Sequence, residues 1–187
     1  TVAENNQPYF SSWLGTFGVN FFWLFFIASG LIFYQVVRKL ARNEQYILTS
    51  LYVLFLSGLI FSRYQGGGHV LDGNSFISQI VYFGSFLLFA AGFGFFYYKY
   101  YGRNELDKFR AENNNEYIFL LVLFFWASIS ARGAIRLFFL LAPIAVILAA
   151  FACVYLTSRA LKAKKDALKV VLFVLALAAI WITLVSL

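Results

Sequence analysis

Six apolar segments, at about residues 19–37, 46–61, 76–98, 117–131, 137–157 and 170–187, divide this 187-residue chain. Most approach the roughly 20 residues that a helix needs to cross the hydrocarbon core of a bilayer. Lipid offers no hydrogen bonds to a backbone, so a segment of this length has to satisfy its own N–H and C=O groups, and it does so as a helix. With 62% hydrophobic and only 12% charged residues, the chain falls far below the roughly 25% charge of a soluble domain. The predicted fold class is all-α: a polytopic membrane helical bundle of about six transmembrane helices over residues 19–187, with residues 1–18 as the end of an external loop.

The charges orient the bundle. Twelve of the 15 Lys and Arg residues fall in three alternate connections: Arg38, Lys39 and Arg42; Lys99, Arg103, Lys108 and Arg110; Arg159, Lys162, Lys164, Lys165 and Lys169. The positive-inside rule predicts those connections to be cytoplasmic. The opposite, extracytoplasmic side then carries only Arg63, Arg132 and Arg136 as cations and Glu4 and Asp72 as acids. The net charge of +7 is a topology signal rather than a sign of nucleic acid, because the basic residues occupy short turns of a hydrophobic chain. Cys153 is the single cysteine and reads as a small core residue, silent on redox compartment.

Arg132 and Arg136 lie within an otherwise apolar stretch from Tyr117 to Pro143. A bilayer-facing arginine costs roughly 2.5 to 3.5 kcal/mol on insertion scales, so intramembrane arginines default to function. If Gly133 does not break the helix, their i,i+4 spacing puts both guanidinium groups on one face, where they repel unless an anion lies between them. The fork of donors on each suits phosphate, so an anionic lipid or lipid-linked phosphate is the expected guest. The plainer alternative is that one or both snorkel to the interface or pair with carbonyls.

Two loops remain. Glu4 stands among the amide side chains of Asn5, Asn6 and Gln7; taken alone, a lone acid in a polar loop is most simply solvated. Residues 62–75 contain three consecutive glycines and the only histidine, His69, three positions from Asp72. Two ligands in that spacing match no strong zinc pattern, and the glycines lack the Gly-Lys-Ser/Thr ending of a phosphate-binding P-loop. The residues Gly58, Gly84, Gly92 and Gly94 are expected to allow close helix approach rather than to bind a ligand.

Taken together, two motifs resemble the catalytic subunit of oligosaccharyltransferase, most closely its archaeal-type members. Thr1-Val2-Ala3-Glu4 is similar to the family's Thr-Ile-x-Glu or Ser-Val-Ser-Glu element of the fifth external loop, and Gln7-Pro8 and Ser11-Ser12-Trp13 resemble the family's residues just after that element. Arg136-Leu137 and the apolar run to Pro143 resemble the family's arginine segment. The resemblance implies the carboxyl-terminal half of a lipid-phosphate-dependent glycosyltransferase membrane domain. Glu4 would contact the acceptor asparagine's amide, and Arg136, with Arg132 as a companion, the phosphate of the lipid-linked donor. It further implies a lipid-linked oligosaccharide and an Asn-x-Ser/Thr polypeptide as partners, in contact with membrane lipids, and Mg2+ or Mn2+ with its main ligands outside this chain.

The family's amino-terminal aspartate motifs and its Trp-Trp-Asp element are not in the sequence. Thr1 falls in mid-loop, there is no methionine, and Leu187 ends within an apolar segment. The expectation is an internal fragment, inactive alone, with a soluble domain downstream. Two rivals share the arginines: another polytopic lipid-phosphate-dependent glycosyltransferase, which has no need of the glutamate motif, and an anion or lipid transporter, which would show repeated or broken helix pairs at midplane.

Overall fold

A computed structural model describes residues 6–102 and 115–186. Seven helices are described: α1 (Phe10–Phe17), α2 (Val19–Val36), α3 (Arg42–Phe61), α4 (Phe76–Tyr101), α5 (Asn115–Gly133), α6 (Phe138–Lys162) and α7 (Asp166–Ser186). No strand is present among the described residues, where the single extended pairing is an isolated bridge between Arg63 and Asp72. All six helices from α2 to α7 are long and apolar enough to cross a membrane, as expected for a multi-pass membrane protein.

The helix ends follow local chemistry. Gly18, at φ +74, closes α1 by donating its N–H to the Leu14 carbonyl at 2.9 Å and turns the chain into α2. Glu44 sits in the first turn of α3, where a negative charge complements the helix dipole. Ser75 caps α4, its hydroxyl accepting the Ser78 N–H at 3.1 Å. Pro143 lies within α6, which nonetheless continues to Lys162; neighbouring helices make such a residue tolerable in lipid.

Residues 10–17, expected as loop, form α1. Its period puts Trp13 and Phe17 on one face, and both are buried. Trp13 meets Phe138 edge-on with centroids 4.9 Å apart, and Phe22 at 6.3 Å. The aromatic payload outweighs the cost of ordering eight residues because it docks on a bundle that already exists.

At the centre stands α2, which packs against α1, α3, α5, α6 and α7. Phe22, Phe25, Ala28 and Ile32 are fully buried along it, in one core cluster with Ala145, Ala149 and Ala152 of α6 and Phe124 and Ala127 of α5. Small residues matter because apolar surface gains little by leaving lipid for protein, so close van der Waals contact carries helix association. Two of the four glycines read as close-approach positions have that role. A Cβ on Gly58 would stand 2.0 Å from Ser85 Oγ, and one on Gly92 would stand 2.4 Å from Leu51 Cδ1. Both seal α3 against α4, whereas Gly84 and Gly94 meet no neighbouring helix. The far end of the same hairpin is tied by Glu44, which pairs with Lys99 and accepts the Tyr100 hydroxyl.

The chain reverses between α5 and α6. Helix α5 stops at Gly133, Ala134 is extended at φ −158 and ψ 142, and Ile135–Leu137 form one 3-10 turn before α6. Arg132 and Arg136 therefore do not share a helical face. Their i,i+4 relation needs an uninterrupted helix, and the extended residue between them removes it.

Candidate functional site

The end of the bundle that carries Arg63, Arg132 and Arg136 also gathers residues 6–10 and the loop at 62–75. Arg132, in the last turn of α5, is half-buried and turned toward the α3–α4 hairpin. Its Nε donates to the Leu59 carbonyl at 3.0 Å and its Nη2 to Ser62 Oγ at 3.1 Å. The guanidinium lies over the Tyr82 ring of α4, 4.3 Å from the centroid. The carboxyl-terminal end of a helix leaves carbonyls such as that of Leu59 without an intrahelical partner, and a planar five-donor cation is well shaped to fill them and stack at once.

Arg136 has the opposite setting. It lies in the 3-10 turn, is exposed, and makes no hydrogen bond or ion pair among the described residues. Of the two arginines read as phosphate ligands, it has its full set of donors free for a guest.

Glu4 lies outside the described residues. The segment just after it is tied down at several points. The Ile135 N–H, immediately before Arg136, donates to the Asn6 carbonyl at 3.1 Å. Gln7 Oε1 accepts a hydrogen bond from Arg63 Nη1, Pro8 is buried, and the Phe10 N–H donates to the Arg63 carbonyl at 2.9 Å. The glutamine and proline read as part of a motif are thus both in use.

Arg63 does not stand out as a site residue in the sequence, yet it sits at the junction. Its guanidinium carbon lies over the Tyr9 ring at 4.8 Å, and the neighbouring Ser62 hydroxyl accepts a hydrogen bond from Arg132. The one hint is that it is the remaining cation on this side, one residue from Ser62.

The described residues do not fit a divalent-metal site. No three His, Cys, Asp or Glu side chains are grouped among them. Asp72 Oδ1 accepts the backbone N–H groups of Asn74 and Ser75 at 2.8 and 2.7 Å, and these bonds hold its carboxyl below the ordinary aspartate range. It is occupied in shaping the turn before α4. The apolar groove of about 470 Å³ lined by Phe33, Tyr52, Phe89, Phe93 and Trp126 lies away from this end, since Tyr52 precedes Arg63 by 11 residues, or roughly 16 Å along a helix.

No protein-family model, curated protein or solved structure matches this chain.

Proposed function

We propose that this chain is part of a membrane oligosaccharyltransferase that moves a glycan from a lipid-linked phosphate or diphosphate donor onto the asparagine of an Asn-x-Ser/Thr acceptor. One hydrogen bond supports the reading most. The Ile135 N–H to the Asn6 carbonyl, 3.1 Å long, joins the segment just after the Glu4 motif to the turn that carries Arg136. Those are the two motifs that the reaction needs side by side, and they are 129 positions apart in sequence (135 minus 6).

In the proposed reaction the asparagine side-chain nitrogen attacks the anomeric carbon. A C–N bond forms, the C–O bond to phosphate breaks, the lipid-linked phosphate leaves with the electron pair, and an amide proton is released. Glu4 accepts a hydrogen bond from the amide N–H and orients a poor nucleophile. Arg136, exposed and with free donors, takes the charge that develops on the leaving phosphate. Any Mg2+ or Mn2+ is left to ligands outside this chain. The arginine end faces the extracytoplasmic side in this reading, as the charge distribution predicts.

The helix breaks favour a transferase over transport. The six long helices run unbroken among the described residues, and the interruption at Ala134 falls between two of them rather than within one, unlike the discontinuous helices that build transporter sites.

Glu4→Gln in the full-length protein is the test. The substitution keeps size and removes charge, so turnover should fall on the order of 10- to 1,000-fold while donor binding stays near normal. A variant that glycosylates an acceptor peptide at the parental rate, at saturating donor, would remove Glu4 from the site and favour a glycosyltransferase that needs only the arginines.

A further inference from the structure

The loop at residues 62–75 folds around one side chain, Arg63. The loop closes on itself through the Arg63–Asp72 bridge and through the N–H groups of Tyr64 and Gln65, which donate to the Leu71 carbonyl at 2.9 and 3.2 Å. Gly73, at φ +88, lies flat against the arginine stem: a Cβ there would stand 2.7 Å from Arg63 Cγ and 3.2 Å from its Nε. Arg63 is therefore sandwiched between the Gly73 backbone and the Tyr9 ring, with its tip on Gln7 and its carbonyl on the Phe10 N–H. Other contacts repeat the pairing of loop with segment. The Tyr9 hydroxyl lies where a Cβ on Gly66 would be 2.8 Å away, and the Phe10 ring stacks on Tyr64 at 5.4 Å and touches Phe61 at 4.8 Å.

We propose that Arg63 is a positioning residue that docks residues 6–10, the segment that follows the Glu4 motif in sequence, into a socket made by the 62–75 loop, so that this loop governs acceptor binding. The docking itself stands on the contacts above; the role of the docked segment rests on the oligosaccharyltransferase reading. The hydrogen bonds and the cation–π contact that tie residues 7, 9 and 10 to the bundle run to Arg63, whereas Phe10 also packs its ring against Tyr64, Phe22 and Phe61. The latch is also built to be releasable. Arg63 Nε is buried without a hydrogen-bond partner, so undocking returns one donor of a charged group to water and offsets part of the stability that the docked contacts contribute. A segment that must admit a polypeptide acceptor benefits from closing firmly without closing permanently.

The experiment uses the full-length protein in nanodiscs, with Arg63→Gln, Gln7→Leu and the double variant. Because Gln7 is exposed, Gln7→Leu keeps the fold if Arg63→Gln does not. Amide hydrogen exchange across residues 6–14 should speed up about tenfold in Gln7→Leu and at least as much in Arg63→Gln, which also loses the Tyr9 stacking, with no further increase in the double over Arg63→Gln, since Gln7→Leu removes only the bond the two share. The KM for acceptor peptide should rise roughly 3- to 30-fold, while kcat and donor affinity stay within about twofold. Unchanged exchange in folded Gln7→Leu, or effects of the two substitutions that simply add, would overturn the docking. A fall in kcat and donor affinity with acceptor KM unmoved would overturn the positioning role. Faster exchange in the variants of a protein that, unsubstituted, transfers no glycan at all would uphold the docking and sink the oligosaccharyltransferase reading on which its purpose rests.

Discussion

The two arginines on either side of Gly133 carry the same charge into unlike surroundings, and the difference is testable. Arg132 fills the Leu59 carbonyl and Ser62 hydroxyl and stacks on Tyr82, so Arg132→Gln should destabilise the fold by about 1 to 3 kcal/mol, read as a lower thermal midpoint. Arg136 is exposed with nothing to lose in the fold, so Arg136→Gln should leave the midpoint unchanged and weaken lipid-linked donor binding by about 1.5 to 3 kcal/mol, because a carboxamide cannot supply charge-assisted bonds to phosphate. Equal midpoint losses in the two variants would erase the distinction. The sequence marks both residues as costly in lipid, which is a local property and legible as such. It cannot tell that one is engaged by neighbours and the other is not, since Leu59 and Tyr82 reach Arg132 across more than 45 positions of chain. Arg63 escapes for the same reason: its contacts to Tyr9, Gln7 and Phe10 are made through tertiary structure.

Among the elements, the α3–α4 hairpin depends on two missing side chains. Gly58→Ala sets a methyl 2.0 Å from Ser85 Oγ and 2.9 Å from the Val81 carbonyl; backbone cannot step aside as a side chain can, so the change should cost about 1 to 3 kcal/mol. Ser85→Gly in the same chain removes only the first clash and should recover only part of the loss, and full recovery would show that the backbone contact is harmless. The connection between these helices has its own pH dependence. Asp72 is held below the ordinary aspartate value by the N–H groups of Ser75 and Asn74, so the support it gives the turn is present above that ordinary range and lost as pH falls through the lowered folded value. Hydrogen exchange at Asn74 and Ser75 should accelerate below that point, and Asp72→Asn should abolish the acceleration. The long helices are legible because length and hydrophobicity alone decide them in lipid. The eight residues of α1 are not, since two buried aromatics make too short a pattern to separate a helix from a loop, and the break at Ala134 is signalled only through its neighbour Gly133.

For the whole molecule, the alternation of basic connections is the strongest statement the sequence makes, and it has a direct check. A cysteine reporter near Gly67 should react with an impermeant reagent added outside intact cells, and one near Lys164 should not. The reverse pattern would turn the arginine end to the cytoplasm and end the proposal that donor and acceptor meet there. The bond between Asn6 and Ile135 adds a constraint on timing. At about 5 to 20 residues per second, a ribosome that has released Asn6 needs roughly 6 to 26 seconds more to make Ile135. Until α5 has been inserted and the chain has turned back toward α6, the opening segment has no partner for its carbonyl. Nascent chains arrested after α4 can already hold residues 7–10 on the 62–75 loop, but should leave the Trp13 and Phe17 face, which packs on Phe138, open to protease until the fifth helical passage, which makes completion of the site a late event in the birth of the protein.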